Sequence, residues 1–280
     1  MKRYISLMLT LLLLFSLCAC GQSPEETQGE EEYLSVQESA PQEEEPEEEP
    51  QQEEPVDELP QAFEPVVPAS EAVSADWFAD AAFIGDSVSV MLQYYNDACG
   101  TLGKATFLCS ESLSPAGALS YTAGHERLPA YPKGSGQRPR LEDAVLASGA
   151  SKVYVMLGMN CIAGGVDRAC QDLVTLIDTI LAKSPEATIL VQPVTPMTET
   201  SPRADAALNN ETIAAYNAKV LEVCREREWY YVESREALSN EAGYLRDDYS
   251  GDKAMGIHLN YNGAAAWAEY LLTHVPEALK

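Results

Sequence analysis

The sequence predicts an α/β domain over residues 70–280, with a mainly parallel sheet covered on both faces by helices. Three observations carry that expectation. Apolar runs such as Lys152-Val153-Tyr154-Val155-Met156-Leu157 and Ala187-Thr188-Ile189-Leu190-Val191 read as strands buried on both faces. Between them, Leu173, Leu176, Ile177, Ile180 and Leu181 recur at helical spacing. Strand and helix signals alternate, which implies parallel pairing with right-handed crossovers. About 210 residues are ample for a single core.

Taken in order, Ala81-Ala82-Phe83-Ile84 is the first buried run, and it meets Gly85-Asp86-Ser87. Val88-Ser89-Val90-Met91-Leu92 then opens a helix reaching about Cys99. A serine at such a turn has its hydroxyl at the carboxyl edge of a sheet and at the positive end of a helix dipole. Helix capping by Asp86 and Ser87 is the other reading of the same residues. A short apolar stretch follows at 105–109, and the polar, Gly/Pro-rich segment 110–140 has no clear periodicity. Helices are expected over 141–148, 166–183, 210–228 and 262–274, with the last strand at 229–232.

The charge is uneven. Residues 22–68 hold 17 carboxylates and no lysine or arginine, within a formal net charge of −26. Low hydrophobicity and charge of one sign predict a disordered tether over 20–69, kept extended by self-repulsion and proline. Its ~45 residues reach at most ~150 Å. From Ser70 onward, 27 acidic residues face 16 basic ones, which argues against nucleic acid as a partner.

Residues 1–19 read as a secretory leader: Met1-Lys2-Arg3 is basic, and the apolar run from Leu7 to Leu17 is too short for a membrane span. Leu17-Cys18-Ala19-Cys20-Gly21 resembles a bacterial lipobox, which implies cleavage before Cys20, lipidation of that cysteine and attachment to the outer face of the cell membrane. The remaining cysteines are Cys99, Cys109, Cys161, Cys170 and Cys224. An odd number without a C-x-x-C pair suggests neither a disulfide framework nor zinc. Cys161 stands out because it follows Gly158-Met159-Asn160.

Strand ends supply a constellation. After the middle strand, Gly158 lets the backbone pass close to a substrate and Asn160 offers an amide donor; an ordinary turn uses the same residues. Before the last helix stands Gly256-Ile257-His258-Leu259-Asn260, whereas His125 lies in the irregular segment and His274 at a helix end.

Phe83-Ile84-Gly85-Asp86-Ser87, Leu157-Gly158-Met159-Asn160 and Gly256-Ile257-His258-Leu259-Asn260, in that order, resemble the SGNH (GDSL-type) hydrolases, in particular secreted bacterial lipoproteins of that kind. Val191-Gln192-Pro193-Val194-Thr195-Pro196 and Ile213-Ala214-Ala215-Tyr216-Asn217 add to the likeness, which runs from about Asp80 to the end. The resemblance implies a flavodoxin-like three-layer α/β/α fold and a serine esterase mechanism. Ser87 would be the nucleophile, His258 the base, and Asn160 with the Ser87 N–H the oxyanion donors. It implies no metal or organic cofactor. Two positions depart from the pattern. The family's aspartate three residues before the histidine is here Met255, which leaves Asp252, six residues before His258, or a backbone carbonyl to orient the imidazole. The family's glycine after the second strand is matched by Ser112, with Gly117 as the other donor candidate.

Two classes of function follow. One is an anchored esterase acting on acylated carbohydrate or another small ester, with Tyr94, Tyr95, Tyr121 and Tyr131 as candidate sugar-stacking faces. The other is a catalytically impaired module holding a glycan or ligand in the same cleft, which Met255 favours. Oligomeric state is not legible.

Overall fold

The computed structural model describes residues 62–280; the expected leader, the expected lipidation at Cys20 and the expected tether up to residue 61 lie outside the described residues. Five strands form the sheet: β1 (Ala81–Gly85), β2 (Thr106–Cys109), β3 (Lys152–Met156), β4 (Thr188–Val191) and β5 (Tyr230–Tyr231). Their order is β2-β1-β3-β4-β5, and every neighbouring pair is parallel. This is the flavodoxin-like doubly wound order, as expected. The helices are α1 (Ser87–Cys99), α2 (Pro115–Ser120), α3 (Leu141–Ser148), α4 (Val166–Lys183), α5 (Asn210–Arg227), α6 (Arg235–Leu238) and α7 (Tyr261–Thr273).

The period of two in each strand divides the core. Ala82, Ile84, Val153, Val155, Ile189 and Val191 pack on the side of α3, α4 and α5. Ala81, Phe83, Tyr154, Met156 and Leu190 pack on the side of α1 and α7. Register places Phe83 opposite both Phe107 and Tyr154, and the three rings stack across β2, β1 and β3 with centroids 5.1 and 4.5 Å apart. Such runs are apolar on both faces because each face is covered, which is why they lack alternation in sequence.

Two local features differ from expectation. Segment 110–140 contains α2, whose Ser114 side chain accepts the Gly117 N–H and whose first residue is Pro115; six residues are too few to show a helical period. The domain also begins before Ser70. Val66 bridges Tyr231 in parallel, the Val67 N–H donates to the Tyr231 carbonyl at 2.9 Å, and Val67 is buried. The tether boundary drawn at 69 is therefore too late. Val66-Val67 is an apolar pair that covers the otherwise open edge of β5, and an uncovered edge is a liability.

The strand order reverses between β1 and β3, so the carboxyl ends of these strands open a crevice. Ser87 follows β1 and Asn160 follows β3, which brings both to that crevice.

Candidate active site

Both readings of Gly85-Asp86-Ser87 hold together. Asp86 is the cap of α1, its Oδ1 accepting the Val88 N–H at 3.0 Å. That leaves Ser87, the first helical residue, free to point its hydroxyl away, and Ser87 Oγ lies 3.0 Å from His258 Nε2.

Asp252, not Met255, meets the imidazole: its Oδ2 is hydrogen-bonded to His258 Nδ1. The six-residue separation is closed by a hairpin-like loop. Ser250 bridges Leu259 in antiparallel fashion, and the Gly251 N–H donates to the His258 carbonyl at 2.8 Å. Within the loop, Asp252 Oδ1 accepts the Gly256 N–H at 2.7 Å and the Ile257 N–H at 3.4 Å. Burial pushes the Asp252 carboxyl up, but the His258 contact and these two amides outweigh it and hold the carboxyl below its ordinary value. An ionised carboxylate only accepts, so Nδ1 carries the proton and Nε2 presents its lone pair to Ser87. Met255 instead lines the wall of the cavity beside Ser87.

The loop depends on Gly256, whose φ is +66° and where a Cβ would lie 2.3 Å from Thr198 Oγ1. Gly256→Ala is expected to cost ~1–2 kcal/mol from the left-handed backbone alone, a fall in Tm of roughly 2–8 °C for a domain of this size. Thermal unfolding checks this, and an unchanged Tm would refute the requirement for glycine.

The oxyanion candidates separate. Ser112 has φ +58°, the conformation that favours glycine, and it lines the cavity with Ser87 and Asn160. The turn is closed by the Leu113 N–H to the Ser110 carbonyl at 3.2 Å, leaving the Ser112 N–H without an intramolecular acceptor among the described residues. Gly117 is unsuited, because its N–H is taken by the Ser114 cap. The Asn160 amide donates to Asp86 Oδ2 at 3.1 Å and to the Leu113 carbonyl at 3.2 Å. Gly158 has a packing role rather than one in substrate approach: a Cβ there would meet Val194 Cγ2 at 2.5 Å and the Tyr216 ring at 2.6 Å.

Asp86 is buried, and that burial pushes its carboxyl up to about 6 against the pull of the Val88 amide, His258 and Asn160. The sign follows: with an unfolded value near ~3.9, its contribution to stability is full below that pH and is lost as pH rises to about 6. Asp86→Asn keeps a good cap and removes the titration. The difference in Tm between wild type and variant is therefore expected to change across this pH window; a constant difference would contradict the assignment.

Other sequence candidates lie away from the chemistry. Burial raises the Cys161 thiol to about 12, with Asp172 and Asp86 adding to it, and its Sγ contacts the Gly158 carbonyl. His125 stacks on Tyr121 and His274 on Tyr270. Tyr95 packs edge-on against Tyr261, and Tyr131 donates its hydroxyl to the Ala147 carbonyl. Of the four tyrosines only Tyr94, 57% exposed, lines the cavity of about 640 Å³ that holds Ser87, Asn160 and His258. Arg203 and Leu208 also line it. Sequence reading missed both, since neither belongs to a motif.

A hydroxyl, an imidazole and a carboxylate in hydrogen-bonded series at the switch point of a flavodoxin-like sheet define a serine-hydrolase architecture. The sequence carries the same assignment: the profile of the GDSL-like Lipase/Acylhydrolase family matches residues 83–266, and the chain belongs to that family. Among solved structures, a GDSL-like lipase from Bacteroides thetaiotaomicron VPI-5482 is 16% identical, with 68% of this chain and 84% of that one covered and a TM-score of 0.52. A Streptococcus pneumonia protein described in terms of platelet activating factor is 20% identical, with 69% and 81% covered and a TM-score of 0.52. At these identities the likeness shows the shared fold. Comparison with curated proteins found no match.

Proposed function

We propose that this chain is a membrane-anchored, extracytoplasmic serine esterase that removes acyl groups, O-acetyl among them, from carbohydrate. The observation that carries the reading is the series Ser87–His258–Asp252. In the reaction, Ser87 Oγ attacks the ester carbonyl while Nε2 takes its proton, and Asp252 stabilises the imidazolium. The Ser87 and Ser112 N–H groups face the developing oxyanion. Asn160 joins them by exchanging its Leu113 contact for the substrate oxygen. The alcohol leaves with the proton from His258, and water, activated by the same imidazole, hydrolyses the acyl-enzyme to carboxylic acid and free Ser87.

The anchor rests on the Cys20 motif and the extended spacing on the acidic composition of 22–61. The impaired-module reading drew on Met255, and Asp252 supplies the carboxylate that Met255 lacks. Two assays test the proposal. The full chain is expected to release p-nitrophenol from p-nitrophenyl acetate and acetate from acetylated xylan. Labelled palmitate is expected to enter the wild type and not Cys20→Ala. Absence of ester turnover rejects the enzyme, and equal labelling of both chains rejects the anchor.

A further inference from the structure

The nucleophile cavity continues into a second one of about 580 Å³, walled in part by residues 126–138. Val90, Tyr94, Glu111 and Ser112 line both, so the two form one cleft. It holds Glu111 and Glu126, and it gathers most of the guanidiniums that have no carboxylate partner among the described residues. Among the described residues most lysines and arginines sit within ion-pair distance of a carboxylate, Lys133 of this cleft included, at 2.5 Å from Asp97. Lys104, Arg225 and Lys253, elsewhere on the domain, are not so paired, nor are Arg127, Arg138 and Arg203. These last three line the cleft, Arg203 beside the nucleophile and the others in the neighbouring cavity, so that three of the four unpaired guanidiniums among the described residues share it. Arg138 donates only to the Leu128 carbonyl, and Asp205 feels Arg203 without reaching ion-pair distance. In a domain with 27 acidic and 16 basic residues from Ser70 onward, carboxylates are abundant. Guanidiniums left unpaired along one cleft are free for an anion brought by a ligand, which their planar donors meet in bidentate fashion.

We infer that this cleft takes a polyanionic O-acylated glycan, whose carboxylates or phosphodiesters meet Arg127, Arg138 and Arg203; the inference rests on the esterase reading of the same site. The two cavities differ: beside Ser87 the wall is largely apolar, with Met91, Met159, Leu208, Met255 and Ile257, and suits the acyl group, whereas the outer cavity suits a sugar chain. Gln93, Ser110, Glu111 and Glu126 offer partners to hydroxyls, and Tyr94 exposes a ring where the two cavities meet. A cleft of two joined cavities, each within the ~300–1,000 Å³ of ligand sites, far exceeds the needs of an acetyl group. The scissile ester sits at Ser87, and the polymer beyond it runs past Tyr94 towards Arg127 and Arg138.

Binding of unacylated polymers to the full chain tests the ligand apart from the chemistry. Polygalacturonate supplies carboxylates, poly(glycerol phosphate) supplies phosphodiesters, and unsubstituted xylan is neutral. At least one polyanion is expected to bind tenfold or more tightly than xylan, and the one that does names the anion. Arg127→Gln with Arg203→Gln is expected to weaken that binding at least tenfold. The same pair is expected to lower, by tenfold or more, the ratio of kcat/KM on acetylated polygalacturonate, or on an acetylated phosphodiester polymer, to that on p-nitrophenyl acetate. Equal affinity for xylan, or polyanion binding unmoved by the double substitution, overturns the inference and leaves the esterase standing. Arginine-dependent binding by a chain that hydrolyses no ester overturns the esterase and leaves the ligand.

Discussion

Ser87→Ala is expected to lower ester turnover at least ~10⁴-fold with the fold intact. The reason lies in how little else the hydroxyl does. Among the described residues its one hydrogen-bond partner is His258 Nε2, at 3.0 Å, and the cap of α1 is made by Asp86. Alanine is also the best helix former, so the first turn gains if anything. Initial rates on p-nitrophenyl acetate and thermal unfolding, measured together, check both halves. Activity within tenfold of wild type would mean that Ser87 is not the nucleophile. A large fall in Tm would mean that the activity loss reports unfolding. What turnover remains is that of a cleft with its oxyanion donors in place, typically ~10³–10⁴ above water.

The sheet was readable because its signals are local. Val153 to Met156 and Ile189 to Val191 are apolar on both faces, and α4 repeats its apolar residues every turn over 18 residues. Short elements carry no such signal, and so α2 and α6 were not legible. Nor was the pairing of Val66 with Tyr231, which joins residues 165 apart in the chain. The site follows the same rule. Ser87, Asn160 and His258 stand at the ends of recognisable elements within compact motifs, and the fold brings them to one crevice. The role of Asp252 remained open between two readings, because it depends on a loop closed by the Ser250–Leu259 bridge and by the backbone of Gly256. Ser112 was legible as a position but not as a conformation: only the structure gives its φ of +58°. Arg127 and Arg203 had no signal at all, since each looks like any solvated charge until the cleft between them is seen.

Asp252→Asn carries the second large effect, a fall of ~10⁴-fold in kcat. The substitution preserves shape. An asparagine oxygen at the Oδ1 position still accepts the Gly256 and Ile257 N–H groups, so the loop retains its closure. The amide nitrogen then faces Nδ1 as a donor, which forces the imidazole proton onto Nε2, where Ser87 needs a lone pair. The loss is thus one of tautomer and charge, not of fold, and Tm is expected to move far less than activity. The pH behaviour gives a separate check. The Asp252 carboxyl lies below its ordinary value, so it stays ionised above ~3.9, and its support of the loop fades only as pH falls through its folded value. The acid limb of the activity profile should therefore follow groups other than Asp252. A second carboxylate at the position given by the family's usual spacing discriminates further. Met255→Asp, introduced beside Asp252→Asn, is expected to restore nothing, because residue 255 lines the cavity while the contact to Nδ1 is made from residue 252. Full activity in Asp252→Asn would leave a Ser–His pair working without a carboxylate; rescue by Met255→Asp would show that the loop can re-form around the family's ordinary register.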